Sequence, residues 1–184
     1  MNASIRRYRI VVGVDLSEYS TIVVEHALDQ AARHQLPELH FLHVDEKGKR
    51  KIEDLNEYLS SAVYPALQVF NQHGSDWRAR LHVRRGKVDE QIAILAADVI
   101  SDMIVVGQFG LHRKGIATRV LANAPCATLV VGMPPALDMS QCNACEAYRE
   151  DSGGDRWFCD DHIVKHAAVS PMTSWTGGQG NYLR

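Results

Sequence analysis

The sequence predicts an α/β protein built on an open, doubly wound sheet of five parallel strands. Apolar runs of strand length alternate with segments of helical periodicity along most of the chain. Several of those runs are apolar without interruption, as in strands that are buried on both faces. Hydrophobic residues make up 46% of the 184 residues and charged residues 23%, so a core can form and a wholly disordered chain is excluded.

The first half of the body shows two strands and two helices. The first strand is predicted over residues 8–15, the apolar run YRIVVGVD, and the second over residues 39–45, after Pro37. A helix between them has one apolar face at i, i+3, i+4 and i+7, formed by Val24, Ala27, Leu28 and Ala31. A long helix follows, with an apolar face formed by Leu55, Leu59, Ala62, Ala66 and Phe70. We expect Pro65 to kink or break this helix and Gly74 to end it as a C-cap.

The second half of the body repeats the alternation. Residues 77–84 alternate in the manner of a strand, and residues 102–107 form a fourth, buried strand. The helix between them is marked by Ile92, Leu95, Ala96 and Val99. Residues 116–122 form at most a short helix, which Pro125 stops, and residues 127–131 are the fifth strand. A sheet of this class binds ligands at the carboxyl ends of its strands, where the strand order reverses.

Three stretches together resemble the universal stress protein family. They are VGVDLSEYS, which ends at Ser20, VVGxxG with Gly107 and Gly110, and NAPCATLVVG, which ends at Gly132. The resemblance covers roughly residues 6–133. It implies an open sheet of strand order 3-2-1-4-5, a homodimer paired through the last strand, and bound ATP in some members. It also implies a role in binding and regulation under stress.

The resemblance assigns two nucleoside contacts to strand ends. Asp15 follows the first strand and would face the adenosine, and Val44 ends the second strand, where a backbone contact to adenine would fall. Asp15 has an alternative role, which is to fix its own loop through Ser17. The connector over residues 46–51 holds four Lys or Arg residues. We interpret it as a solvated loop, with phosphate contact as the alternative.

The phosphate loop that the resemblance implies is shortened. Gly107 and Gly110 match its first half and would let the backbone approach phosphate closely. The family's second half, a Gly followed by Ser or Thr, falls on Lys114 and Gly115. Arg113 and Lys114 place cations near the start of the next helix, where their side chains can contact phosphates. ATP or AMP binding is therefore predicted, and loss of the ligand with the trimmed loop remains the alternative.

The last part of the chain has the spacing of a zinc site. The pattern Cys-x2-Cys-x13-Cys-x2-His is formed by Cys142, Cys145, Cys159 and His162. Four protein ligands would close the shell of a tetrahedral zinc ion, so the site is predicted to be structural. His166 is the alternative fourth ligand. A redox pair of Cys142 and Cys145 is the other alternative; it lacks the usual position at a helix N-terminus after a strand.

Three parts are expected along the chain. Residues 1–133 form the α/β domain, residues 134–166 a small zinc-knuckle module with an aromatic core of its own, and residues 167–184 a tail that is flexible or docks on a partner. The absence of an apolar signal segment or of a membrane-length apolar run favours a cytoplasmic protein without membrane contact. The net charge of −2 and an acidic tail argue against nucleic acid as a partner.

The function predicted from the sequence is regulatory binding, not turnover. The zinc module would serve a homodimer or a protein partner. A slow ATPase or phosphotransfer enzyme that uses Asp15, Arg113 and Lys114 is one alternative. A redox or zinc sensor, which releases its metal reversibly from the cysteine cluster, is the other.

Overall fold

The computed structural model describes residues 6–71, 76–108, 115–132 and 142–163. Its strands are β1 (Tyr8–Gly13), β2 (Pro37–Asp45), β3 (Arg78–Arg85), β4 (Met103–Gly107) and β5 (Ala127–Val131). Its helices are α1 (Ser20–Ala31), α2 (Ile52–Phe70), α3 (Val88–Asp98), α4 (Ile116–Asn123) and α5 (Asn143–Asp151). Nowhere in these four ranges is a helix both long enough and apolar enough to cross a bilayer.

The five strands form one parallel sheet in the order β3-β2-β1-β4-β5. This confirms the predicted class and strand order. Strand β1 lies at the centre, where Ile10 pairs with Leu39 of β2 on one side and with Met103 of β4 on the other. The chain crosses from one half of the sheet to the other at this point. The carboxyl ends of β1 and β4 therefore lie side by side at the same edge of the sheet.

Both faces of the sheet are covered by helices. In β1, Ile10 and Val12 belong to the hydrophobic cluster formed with α1 and α2, whereas Val11 belongs to the cluster formed with α3 and α4. All three side chains are fully buried. Successive side chains of a strand point to opposite faces, so a doubly covered strand requires apolar residues at every position. This is why the central strands appear in the sequence as uninterrupted apolar runs.

Two predictions that rest on prolines need correction. Helix α2 continues without a break through Pro65 and ends at Phe70, while Gly74 lies outside the described residues. Pro65 removes a hydrogen bond to the carbonyl of Ser61; both residues are exposed, so water can solvate that carbonyl. The buried stripe on the other face holds the helix in place and consists of Leu55, Leu59, Val63, Leu67 and Phe70. Pro37 does not precede β2 but is its first residue, a position that proline tolerates.

Candidate functional site

A crevice of about 350 Å³ opens at the carboxyl edge of the sheet, at the crossover between β1 and β4. Its wall includes three of the residues that the sequence singled out, namely Asp15, Val44 and Gly107. The other three predicted contacts, Gly110, Arg113 and Lys114, lie outside the described residues. The floor is apolar and includes Leu42, Val106 and Ile116, while polar and charged groups stand around the rim. Such a shape suits a ligand with one flat apolar part and one charged part.

Asp15 holds the turn between β1 and α1. Its Oδ1 accepts hydrogen bonds from the Ser17 amide at 3.0 Å, the Ser17 hydroxyl at 2.6 Å and the Ser20 hydroxyl at 2.6 Å. Leu16 inside this turn has a φ of 64°, a left-handed conformation that leucine rarely adopts. The alternative role expected for Asp15, fixing its own loop, is thus present in the structure. The same residue also lines the crevice.

Tyr19 and His43 line the crevice as well, although sequence reasoning did not select them. The Tyr19 hydroxyl donates a hydrogen bond of 2.5 Å to the carbonyl of Val131, the last residue of β5. Burial raises the pKa of Tyr19 to about 12, so it remains a donor at neutral pH. The His43 ring donates from Nδ1 to the Val14 carbonyl at 2.9 Å, and burial lowers the pKa of this ring. His43 is therefore neutral at pH 7, with Nε2 as an acceptor.

The connector between β2 and α2 contributes the cations of the crevice wall, which are Lys47, Lys49 and Arg50. The connector is anchored, because the Gly48 amide donates to Asp45 Oδ1 at 3.0 Å and Arg85 donates to the Arg50 carbonyl at 3.0 Å. The sequence indicated mainly a solvated loop here. Its charge run was visible, but only the fold places it beside Asp15, which lies about thirty residues earlier.

The four predicted zinc ligands lie together in the structure. One ligand atom from each of Cys142, Cys145, Cys159 and His162 lies within 4.8 Å of the others. The Cys159 sulfur is 4.0 Å from the Cys142 sulfur and 3.2 Å from His162 Nδ1, which is itself 3.5 Å from the Cys145 sulfur. A tetrahedral zinc ion with its usual bond lengths separates two sulfurs by ~3.8 Å and a sulfur from a nitrogen by ~3.6 Å. The donor set therefore fits zinc. The alternative ligand His166 lies outside the described residues.

The surroundings of the cluster add two observations. The Cys159 amide donates to the Cys145 sulfur at 3.3 Å, a contact that favours the thiolate form of a metal ligand. Cys142 is the N-cap of α5, so the pair does lie at a helix N-terminus, which corrects that part of the expectation. The residues that would form a preceding strand lie outside the described ranges. Hydrogen bonds, led by the one from the Cys145 amide, lower the pKa of Cys142, whereas burial raises the pKa of Cys145 to about 11.

The cysteine cluster packs against the α/β core through its aromatic neighbours. Trp157 is 7% exposed and Phe158 is fully buried, and both belong to the same hydrophobic cluster as Ile10 and Tyr19. The Trp157 ring lies 5.3 Å from the ring of Tyr19 between centroids. These aromatic side chains were expected to form a core of the module's own. They instead extend the core of the sheet.

A second polar cluster lies between β2 and β3, away from the crevice. His40 is 3% exposed, and its Nδ1 lies 3.0 Å from His82 Nε2. Glu38 accepts a hydrogen bond from Arg80 at 3.1 Å and pairs with Arg9 at 3.5 Å. Burial lowers the pKa of His40 to about 4, and the neighbouring His82 adds to this effect. The sequence showed these histidines only as scattered residues.

Comparisons with known proteins agree with this architecture. The model of the universal stress protein family matches residues 7–132. Among solved structures, the universal stress protein UspA from Lactobacillus plantarum aligns with a TM-score of 0.52 at 23% identity, covering 70% of this chain and 99% of its own. A universal stress protein in complex with cAMP aligns with a TM-score of 0.54 at 21% identity, over 68% and 96%.

A third structure, the universal stress protein from Archaeoglobus fulgidus in complex with dAMP, aligns with a TM-score of 0.52 at 24% identity, over 67% of this chain and 96% of its own. At these identities the likeness establishes the fold. No curated protein matches the chain. The cysteine cluster lies beyond the matched family segment, so it is an addition to the family fold.

Proposed function

Since the chain belongs to the universal stress protein family, we propose that it is a stress-response regulatory protein whose crevice binds an adenine nucleotide such as ATP or AMP. The observation that carries the proposal is the composition of the crevice wall. The wall combines buried apolar side chains such as Leu42 and Val106 with the Asp15 carboxylate and the exposed cations Lys49 and Arg50. The complexes of two similarly folded proteins with cAMP and dAMP support the same ligand class.

In this proposal the charged connector takes over part of the phosphate binding. The flat base lies on the apolar floor near Val44, and Asp15 accepts from the ribose hydroxyls. Lys47, Lys49 and Arg50 attract the phosphates from the β2 side. Gly107 lines the crevice at the end of β4, and the proposal assigns further phosphate contacts to Gly110, Arg113 and Lys114, which follow it in the sequence. The connector thus compensates for the missing Gly-Ser or Gly-Thr half of the family's loop.

Calorimetric titration with ATP and AMP tests the proposal. Lys49→Ala should weaken binding about tenfold, the order of one phosphate contact. Lys51→Ala is the matched control, since Lys51 carries the same charge two residues further on and stands outside the described crevice wall. If both variants weakened nucleotide binding equally, the effect would come from the net charge of the protein and not from a contact of Lys49. No binding of either nucleotide to the wild-type protein would refute the proposal, and release of ADP from ATP would favour the enzyme alternative.

We propose further that Cys142, Cys145, Cys159 and His162 hold a structural zinc ion. Two thiols come from the start of α5, and the third thiol and the imidazole come from the segment after it. The ion would join the start of α5 to residues 159–162. Native mass spectrometry should find one zinc per chain in protein purified without added metal. Cys145→Ser should lose the ion, whereas Cys126→Ser should keep it, because Cys126 lies apart from the cluster beside Ser101.

A redox or zinc sensor is the second candidate for the cluster. Two observations favour it: Cys142 occupies a helix N-cap, and its sulfur lies only 4.0 Å from that of Cys159. If the ion leaves, an oxidant such as peroxide can remove two electrons and two protons from these thiols and join them in a disulfide. Thiol titration before and after mild peroxide, with and without a chelator, distinguishes a sensor from a permanently loaded site.

The oligomeric state and the division of the chain remain part of the proposal. Strand β5 is an edge strand that pairs only with β4 in the described sheet, and we expect a cytoplasmic homodimer paired through it. Residues 1–133 would provide the nucleotide domain, residues 134–166 the zinc module, and residues 167–184 a segment for a protein partner. Light scattering of the full chain, and of a chain that ends at residue 166, tests whether the last segment contributes to the dimer.

A further inference from the structure

The loop that forms one wall of the crevice is held by residues 155–158, the segment that directly precedes Cys159 of the cysteine cluster. Glu18 is the contact point. Its Oε2 accepts hydrogen bonds from the amides of Trp157 at 2.6 Å and Phe158 at 3.0 Å, and its own amide donates to the Asp155 carbonyl at 2.9 Å. Glu18 thus makes three hydrogen bonds to the backbone of this segment, two of them through its carboxylate. Together they fix the position of the loop.

The same loop connects directly to the crevice. Glu18 is followed by Tyr19 and Ser20, which line the crevice, and Ser20 donates to Asp15 on the opposite side of the turn. Tyr19 also contacts Trp157 with its ring. Helix α1 begins here without a side-chain cap, so its first turn relies on these loop contacts. The left-handed Leu16 lies in the same turn and requires surrounding structure to hold it.

On the other side, the docking segment depends on the cluster. Phe158 directly precedes Cys159, whose amide and sulfur contact Cys145 and His162. The segment from Gly153 to Phe158 includes two glycines with positive φ, at 62° and 96°, and carries little regular structure of its own. Without an ion, the coordination bonds between the two halves are lost. Among the described residues, the halves are then joined by sulfur contacts and by the Arg149 guanidinium over the Trp157 ring at 5.4 Å, which fix the docking segment less strictly than an ion would.

From these contacts we propose that occupancy of the cysteine cluster by a metal ion controls nucleotide affinity at the crevice. The inference rests on the proposed function of the crevice. With the ion bound, the Trp157–Phe158 amides are presented to Glu18, the loop over residues 15–20 is ordered, and the nucleotide meets a preformed wall. Without the ion, part of the free energy of nucleotide binding is used to order that wall, so the affinity is lower. The coupling is reciprocal, so a bound nucleotide strengthens metal binding by the same factor.

The test uses the full chain in three states: zinc-loaded, stripped by a chelator that is then removed, and reloaded with stoichiometric zinc. AMP is the probe for titration, because it binds zinc more weakly than ATP does and leaves the metal balance undisturbed. We expect the stripped protein to bind AMP about tenfold more weakly than the loaded protein, within the usual range of coupling between sites. Reloading should restore the affinity. Circular dichroism of the stripped sample confirms that the sheet is still folded.

Two variants isolate the connection. Glu18→Ala removes the docking acceptor, yet it touches neither the cluster nor the described crevice wall. It should bind one zinc, as the wild type does, while its AMP affinity becomes low and independent of zinc. Glu146→Ala is the control, since it removes an exposed carboxylate from α5 in the same module and should behave as the wild type. Hydrogen exchange gives a readout without nucleotide: the Phe158 amide should exchange faster after stripping, and also in loaded Glu18→Ala.

Each way in which the proposed coupling could be wrong gives a different experimental result. Equal AMP affinity in the loaded and stripped wild-type protein overturns the coupling and leaves the nucleotide site intact. Absence of nucleotide binding in the loaded protein overturns both the coupling and the function proposed for the crevice. Failure of the chain to bind zinc at all also overturns the coupling. Zinc-dependent affinity that persists in Glu18→Ala shows that the connection does not run through Glu18, and it refutes the coupling through this carboxylate.

Discussion

The buried histidine pair between β2 and β3 should make the fold sensitive to mild acid. His40 lies in contact with His82 and is closely surrounded by Arg9 and Arg80, and its pKa in the folded protein is about 4. In the unfolded chain a histidine has a pKa of about 6.5. Between these values the unfolded chain binds a proton that folded His40 does not. Stability therefore rises with pH through this window and falls as pH drops below about 6.5.

The size of the effect follows from the two pKa values. Linkage gives a loss of about 2 kcal/mol in the free energy of unfolding between pH 7 and pH 5 from His40 alone. His82 and His43 add to this loss, because burial lowers the pKa of both rings. For a protein with a typical stability of 5–15 kcal/mol, a change of this size is readily measured. Urea unfolding at pH 7 and pH 5 is the appropriate assay.

His40→Gln separates this contribution from the others. The substitution keeps a polar group of similar length but removes the titration, so the drop between pH 7 and pH 5 should be about 2 kcal/mol smaller than in the wild type. Its absolute stability at pH 7 is not the readout. His26→Gln is the control, because His26 is a partly exposed residue of α1 and lies outside the cluster. An identical pH dependence in wild type and His40→Gln would refute the reasoning.

Three further substitutions test other parts of the structure. Pro65→Ala restores a hydrogen bond inside α2 and should raise the free energy of unfolding by about 1–2 kcal/mol. This is less than the ~3 kcal/mol difference in helix propensity between proline and alanine, because proline also restricts the unfolded chain. A lower urea midpoint than that of the wild type would contradict this expectation. Asp15→Asn should cost about 1 kcal/mol, the difference between charged and neutral hydrogen bonds, and unchanged stability would mean that the turn does not need the charge. In the presence of zinc, Cys145→Ser should melt at a lower temperature than the wild type, because it does not hold the ion. After both proteins are stripped by a chelator, their melting temperatures should nearly agree, as scanning calorimetry can show.

Local patterns were sufficient to predict the sheet but not every helix. Strand β5 has the predicted bounds, since its apolar run is closed by Pro125 on one side and Gly132 on the other. Pro65 misled the prediction of α2, because the cost of a proline depends on whether the freed carbonyl meets water. The sequence does not show exposure at a single position. It did show an apolar stripe, although Val63 and Leu67 take the buried places that were expected for Ala62 and Ala66, and the burial of this stripe keeps the helix intact.

The cluster of three cysteines and one histidine could be found from spacing alone, because the pattern lies in two short segments that the structure brings together. The crevice was harder, since its wall combines side chains from distant segments. Asp15 and Val44 were identified through the family resemblance, whereas Lys49 was visible only as part of a charge run. The contact between Glu18 and Trp157 joins residues 139 positions apart. No periodicity or motif in a single sequence marks such a pair.

The docking of Trp157 and Phe158 onto the start of α1 also has a consequence for biosynthesis. Every strand of the sheet has been translated by residue 131, so the α/β core can collapse while the chain is still being made. The acceptor Glu18 is translated before the sheet is complete, whereas the Trp157 and Phe158 amides that it binds are translated after the last strand. The wall of the crevice is therefore completed later than the sheet, and a chain truncated before Trp157 would present a folded sheet with an incomplete crevice wall.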